Sequence, residues 1–230
     1  MTVDHVVRYL IPGSWDVGWA SSSIGRIAFP LFASMVAWHG IFNTRDPISY
    51  AQRILIIGLI AQLPYMAMPR DGFQLNICFT LALGLCWGTW LRNLARHDGS
   101  NSLKKSLAFV ASLLAWLYIG LWVEYGHKGL LMIPFYMLAL QTLSRRTDTL
   151  AERFVAAVAT LPVLINAGLM NSSDMAKFFT VTTCLFVLLM AVGVANRVPH
   201  IGFRMPRLIW LVWYPAHLAV IAVLLHWPGR

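Results

Sequence analysis

Long apolar runs alternate along this chain with short polar breaks. The runs fall at about 1–12, 22–42, 48–68, 74–94, 103–123, 128–144, 151–170, 175–196 and 207–227. The breaks carry turn and helix-stop residues: Pro12-Gly13, Asn43 to Pro47, Pro69 to Gly72, Arg96 to Lys105, Glu124 to His127, Arg145 to Asp148, Asn171 to Asp174 and Arg197 to Pro206. About 20 apolar residues cross the ~30 Å hydrocarbon core, and only a helix or closed barrel satisfies its backbone there. The pattern therefore predicts an all-α, polytopic transmembrane helical bundle with about nine membrane segments. Residues 1–230 form a single integral-membrane domain with no room for a soluble one. The first run is anomalous, at about half the length of a crossing. It reads either as a short tucked-in helix or as the lower half of a first helix truncated at Met1, and the second is the expectation. No internal repeat stands out, which weakens a reading as an inverted-repeat transporter.

Composition agrees. Hydrophobic residues make up 58% of the chain and charged residues 12%, about half the charge fraction of soluble domains. The net charge of +9 does not lie on one stripe, so a nucleic-acid partner is not expected; the partner is the lipid bilayer. Alternate breaks, with the helix ends beside them, hold Arg45, Arg53, Arg92, Arg96, Lys104, Lys105, Arg145, Arg146, Arg153, Arg197, Arg204 and Arg207, against Arg70, Lys128, Lys177 and Arg230 on the other side. The richer side faces the cytoplasm by the positive-inside rule. The N-terminus is then cytoplasmic and the C-terminus outside. Trp15, Trp19, Trp122 and Trp227 fall near the outer interface. Cys78, Cys86 and Cys184 lie in apolar runs and read as reduced packing residues. There is no basic leader with a small-residue cleavage site, no metal-ligand spacing and no phosphate-cradling glycine motif.

Polar residues at depth carry the candidate chemistry. Asp4, His5, Arg26, Gln62, Tyr65, Asn76, Tyr118, Glu124, Tyr125, His127, Asn166, Tyr214 and His217 all converge on the outer half of the bilayer. A buried charge is a functional-site hypothesis by default. Each also has a plainer reading. Asp4 and Arg8 are four apart and can pair on one helix face. Arg26 can snorkel to headgroups. Gln62, Asn76 and Asn166 can be hydrogen-bonding glue between helices. His217 and His39 can be buried structural histidines, and Glu124, Tyr125 and His127 ordinary loop residues. His39, near the cytoplasmic end of its run, could instead line an entry route for a cytoplasmic cofactor.

Val3-Asp4-His5, followed by Gly25-Arg26-Ile27-Ala28-Phe29-Pro30-Leu31-Phe32, resembles the TraX family, the pilin N-terminal acetylases of conjugative plasmids. The likeness continues through Ile60-Ala61-Gln62, Asn76-Ile77-Cys78-Phe79, Tyr125-Gly126 with Gly129-Leu130-Leu131, and Tyr214-Pro215-Ala216-His217-Leu218. The resemblance implies a bacterial inner-membrane protein, with the C-terminus periplasmic. It implies acetyl transfer from cytoplasmic acetyl-CoA to the N-terminal amine of a pilin-like acceptor protein; a small amine or a sugar is the other acceptor class. The upstream half of the family's first helix is missing here. The spacing of Arg26 and His39 does not reproduce that of more distant acyltransferases, so no catalytic role passes to His39.

The residues suit acyl transfer. An α-amine, with a pKa near 8, is mostly protonated at neutral pH and must lose a proton to attack a thioester. His5 is the expected base. Asp4 orients it or holds Arg26, and Arg26 or Asn76 stabilises the oxyanion. Asn76, Tyr125, Tyr214, His217 and Gln62 are the expected acceptor-binding set. Arg45 and Arg53, with His39, are the expected contacts of the CoA phosphates. No metal is expected. Two rivals remain: a small transporter or flippase using the same polar residues as a path, and a non-catalytic membrane scaffold.

Overall fold

The computed structural model describes residues 1–11, 15–70, 72–96, 102–145, 149–193 and 206–227. Arg146, Arg197, Arg204 and Arg230 lie outside the described residues, as do the side chains of Trp15 and Arg207. The described residues are helical: α1 (Thr2–Leu10), α2 (Trp15–Ser22), α3 (Ile24–Trp38), a π-turn (His39–Asn43), α4 (Pro47–Met66), α5 (Ile77–Arg96), α6 (Ser102–Ile119), α7 (Gly126–Leu143), α8 (Leu150–Val158), α9 (Leu161–Leu169), α10 (Asp174–Ala191) and α11 (Arg207–Leu225). Helix starts follow local chemistry. Asp46 accepts the amides of Ile48 and Ser49, with Pro47 at the first position of α4. Thr149 and Glu152 close a capping box on α8. Ser173 accepts the amide of Ala176 at the start of α10.

Among the described residues four stretches are long and apolar enough to cross a membrane: Gly18–Asn43, Ser102–Ile119, Leu150–Leu169 and Asp174–Ala191, with Leu211–Leu225 a shorter apolar helix. The apolar runs had suggested about nine. The difference has two physical sources. α1 has 9 residues, about 13.5 Å of helix, less than half the hydrocarbon thickness. α4, α5 and α7 have the length, at 20, 20 and 18 residues, but polar residues dilute them: Gln52, Arg53 and Gln62 in α4, Arg92, Asn93 and Arg96 in α5, His127, Lys128 and Gln141 in α7.

α5 packs along α4 and α7, α3 along α7 and α10, and α9 between α7 and α10. The main core joins Phe29, Ala33, Leu85, Met132, Ile133, Tyr136, Leu140 and Val163. α6 touches α7 alone among its well-packed neighbours and buries no residue, as a helix apolar all round can do in lipid. α11 lies along α4, and α1 rests on α11, α2 and α3. The indole of Trp213 donates to the Thr2 hydroxyl, and His5 meets His217. The pairs advance together, so α1 and α11 run parallel. Tyr9, Ala61, Tyr65, Met68, Leu218 and Ile221 form a second core under α1.

Candidate functional site

α1 turns one face inward: Asp4, His5 and Tyr9 are buried. His5 and Tyr9 are four apart and share that face, their ring centroids 6.1 Å apart. His5 Nδ1 lies 3.2 Å from His217 Nε2, with the rings stacked 11° from parallel. His217 Nδ1 is 2.8 Å from the carbonyl oxygen of Trp213. A carbonyl only accepts, so His217 carries its proton on Nδ1. In the neutral ring its Nε2 is then an acceptor, and His5 donates from Nδ1. The relay therefore leaves the lone pair of His5 on Nε2. An imidazole with a fixed tautomer and a free basic nitrogen is the form a general base requires.

Asp4 anchors this arrangement, though not through the expected partner. Its Oδ2 is 3.7 Å from Arg8 Nη2, and Ser21 donates to its Oδ1. An i,i+4 pair of this kind contributes only about 0.3–0.5 kcal/mol, so the buried carboxylate also relies on the serine. Gly25 makes room for it: a Cβ there would stand 2.9 Å from Asp4 Cβ and 3.1 Å from its Oδ1. Asp4 thus ties α1 to α2 and α3. Arg26 does not join it. Among the described residues no carboxylate lies within ion-pair distance of Arg26, whose Nε is buried without a hydrogen-bond partner. The Asp4–Arg26 pair is replaced by Asp4–Arg8, because one turn of helix brings Arg8 to the acid at no cost in loop closure. Arg26 lies within electrostatic reach of Tyr125 instead.

Beside Arg8 and Tyr9 opens a cleft of about 680 Å³, bounded by Arg70, Phe73, Gln74 and Leu121. Arg70 is its central cation. Its guanidinium sits 3.3 Å above the Tyr65 ring centroid and 5.7 Å from that of Tyr9. Its Nε and Nη2 are buried and unpartnered. Glu124 faces the same interior within electrostatic reach of Arg70 and Arg8. The two loops meet because Leu75 and Val123 form an isolated β-bridge, the amide of Leu75 donating to Trp122 and that of Glu124 to Leu75.

Arg70 was missing from the sequence-based site, yet it carried a signal: it is one of few basic residues on the charge-poor side. Glu124, in the loop before α7, has its Oε2 sealed from solvent without a partner. Burial pushes its carboxyl above the ordinary value, with Arg70 and Arg8 opposing. A raised folded value makes the acid's contribution to stability greatest below its unfolded pKa of about 4.3. That contribution is lost as pH rises through the folded value. Glu124→Gln should therefore gain melting temperature relative to the parent as pH rises above about 4.3, levelling once the folded carboxyl ionises. Melting curves in detergent check this; a difference independent of pH would refute it.

The profile of the TraX protein family matches residues 1–225. The chain belongs to the TraX family. No curated protein and no solved structure matches it significantly. Family membership and the apolar helices fit a membrane protein.

The other expected site residues of this TraX-family chain divide into two groups. Tyr214 joins the histidine pair, its ring edge-on to His217 at 5.4 Å between centroids and its hydroxyl buried without a partner. Tyr125 sits in the left-handed region at φ 63°, strained for a bulky side chain, and stacks on Phe29 at 4.3 Å. Asn76 and Gln62 are committed to each other. Asn76 Nδ2 donates to Gly58 O at 2.7 Å and Gln62 Oε1 at 2.8 Å, its Oδ1 accepts the amide of Cys78, and Gln62 Nε2 donates to Gln74 O. They pin α4 to the start of α5. Asn166 likewise donates to Lys128 O, and His127 is held against Leu117 O.

The expected CoA contacts are not gathered. His39 accepts from Asn43 Nδ2 at 2.9 Å in the π-turn and lines an apolar cleft with Met35, Trp38 and Val187. Arg53 faces the groove between α4 and α11, and Arg45 is exposed. Cys78, Cys86 and Cys184 are free thiols.

Proposed function

We propose that this TraX-family protein is a membrane-embedded acetyltransferase. It moves an acetyl group from cytoplasmic acetyl-CoA to an acceptor amine on the outer side, the N-terminus of a pilin subunit. The observation that carries the reading is the directed pair from Trp213 O through His217 to His5, which leaves a basic nitrogen on His5, within electrostatic reach of Arg70 in the Arg8–Arg70 cleft. The acceptor enters through that cleft. Its ammonium loses one proton to solvent to reach the free amine, whose nitrogen attacks the thioester carbonyl. His5 Nε2 takes a second proton from the adduct as the C–S bond breaks, and the proton passes on to the departing thiolate. Asp4 holds α1 in register and acts as a positioning residue. Arg26 and Arg70, with unpartnered guanidinium nitrogens, supply the cations for the oxyanion, because Asn76 is committed elsewhere.

The basic face, which carries Arg45, Arg53, Arg92 and Arg96, is proposed to face the cytoplasm of the bacterial inner membrane, with α4, α5 and α7 also crossing. A reporter fused after Arg145 should then read as cytoplasmic and one after Asp174 as periplasmic; the reverse would overturn the orientation. The activity is tested with purified protein, labelled acetyl-CoA and peptides bearing a free or a blocked N-terminus. Label is expected on the free peptide alone. Solute uptake by proteoliposomes without any transfer would support the transporter reading instead.

A further inference from the structure

At the other end of the bundle, α5 and α7 part to leave a cleft of about 470 Å³. The parting follows from sequence. Gly84 and Gly88, four apart on α5, let α7 approach closely, as small residues do between membrane helices. A Cβ on Gly84 would stand 3.1 Å from the carbonyl oxygen of Leu130, and one on Gly88 2.6 Å from Met137 Sδ and 3.2 Å from Pro134 Cα. Leu130 is four residues before Pro134, which has no N–H to donate to it. Beyond Gly88 the α5 side of the cleft mixes apolar Leu91 and Ala95 with the long cations Arg92 and Arg96. Arg92, Arg96, Arg145 and Gln141 line the opening, above an apolar floor that includes Pro134.

The arginines call for a partner. Arg92 and Arg96 are four apart on one helix face, where like charges repel. No ion pair joins any of the three to a carboxylate among the described residues. The negative ends of the α5 and α7 dipoles favour Arg96 and Arg145 where they stand. They do not account for Arg92, whose Nε is sealed from solvent without a hydrogen-bond partner. Three full charges outweigh about half a charge at each helix end, so the cleft as a whole suits an anion. Planar guanidinium forks match phosphate oxygens in pairs.

We propose that this cleft is a phosphate-binding site that takes the nucleotide diphosphate end of the acyl donor. The proposal rests on the donor being a CoA thioester, and the same chemistry would also hold a phosphate headgroup of an anionic lipid. The site lies at the ends of α5 and α7 opposite the loops that carry Glu124 and Arg70, so donor and acceptor would approach from opposite faces.

The test uses the full-length protein in nanodiscs of phosphatidylcholine, with coenzyme A as probe in a direct titration. Arg92→Gln should weaken coenzyme A binding by about tenfold or more, the scale of one lost charge-assisted hydrogen bond. Arg92→Lys should recover only part of it, and Lys104→Gln, on α6 and outside the cleft lining, should leave binding unchanged. Melting temperatures identify a variant that fails to fold, in which case Arg96→Gln takes its place. Transfer from acetyl-pantetheine, which lacks the nucleotide, should be unchanged in Arg92→Gln, while KM for acetyl-CoA rises by a similar factor. A second arm adds phosphatidylglycerol to the nanodiscs. If Arg92→Gln loses bound phosphatidylglycerol but keeps coenzyme A, the phosphate site stands and its occupant is lipid. If it keeps both, the proposal is overturned. Coenzyme A binding lost in the variant, with no transfer by the parent protein, would leave the site standing and overturn the acetyltransferase reading alone.

Discussion

Replacing His5 by Gln is expected to lower acetyl transfer by about 10²–10⁴-fold, the usual worth of a positioned general base, in a protein that still folds and binds coenzyme A. The size of the effect follows from the direction of the relay. Trp213 O fixes the proton of His217 on Nδ1, His217 Nε2 receives the Nδ1 proton of His5, and His5 is left with its basic nitrogen free. Glutamine can keep the hydrogen bond to His217 but cannot take a proton from an amine. His217→Gln should cost less, because it disturbs the tautomer and angle of His5 without removing the base. The double variant should be no worse than His5→Gln alone, since the two residues act as one unit. Rates are measured on folded, detergent-purified protein across pH. Near-normal turnover by His5→Gln would exclude it as the base and transfer the role to His217.

The relay was half legible in the sequence. Asp4, His5 and His217 stood out because polar side chains in apolar runs must find partners, and the charge alternation put them at one level of the bilayer. Their pairing across 212 positions depends on α1 lying parallel to α11, which no local pattern encodes. The Asp4–Arg8 pair was legible from its spacing, and it displaced Arg26 for that reason. Glutamine and asparagine at depth were ambiguous: Gln62 and Asn76 proved to be mutually bonded helix ties, the plainer of their two readings. Arg70 and Glu124 were harder to place, because loop residues look solvent-exposed until a tertiary contact, here Leu75 against Val123, folds two loops together over the interior. Of the nine or so expected crossings, four are long and apolar enough among the described residues; α4 and α5 have the length, but exposed Gln52 and Arg53 near the start of α4 and Asn93 and Arg96 near the end of α5 lower their average. Hydropathy measures the average of a helix, whereas α4 and α5 bury one face among neighbours.

Gly25→Val is expected to lower transfer strongly although it removes no polar group. The Cβ it adds would arrive 2.9 Å from Asp4 Cβ and 3.3 Å from Asp4 Cγ, too close for carbon atoms whose optimal separation is about 3.5–4.0 Å. Neither side can yield cheaply. Gly25 is buried in the first turn of α3, and Asp4 is held by Arg8 and Ser21. The relief available is a shift of α1 away from α3, and α1 carries His5. A displacement of about 1 Å at a reacting group can cost about 10²-fold in rate, so transfer should fall by that order even though every catalytic side chain is intact. Gly25→Ala should fall between the parent and Gly25→Val, because it adds the Cβ without the two branches. Crosslinking reports the geometry directly: cysteines replacing Thr2 and Trp213, whose side chains touch in the parent through the indole nitrogen, should be joined by a short bifunctional thiol reagent less readily in the Gly25→Val background. Full activity and unchanged crosslinking in that variant would show that the Gly25–Asp4 contact does not set the position of the histidine pair.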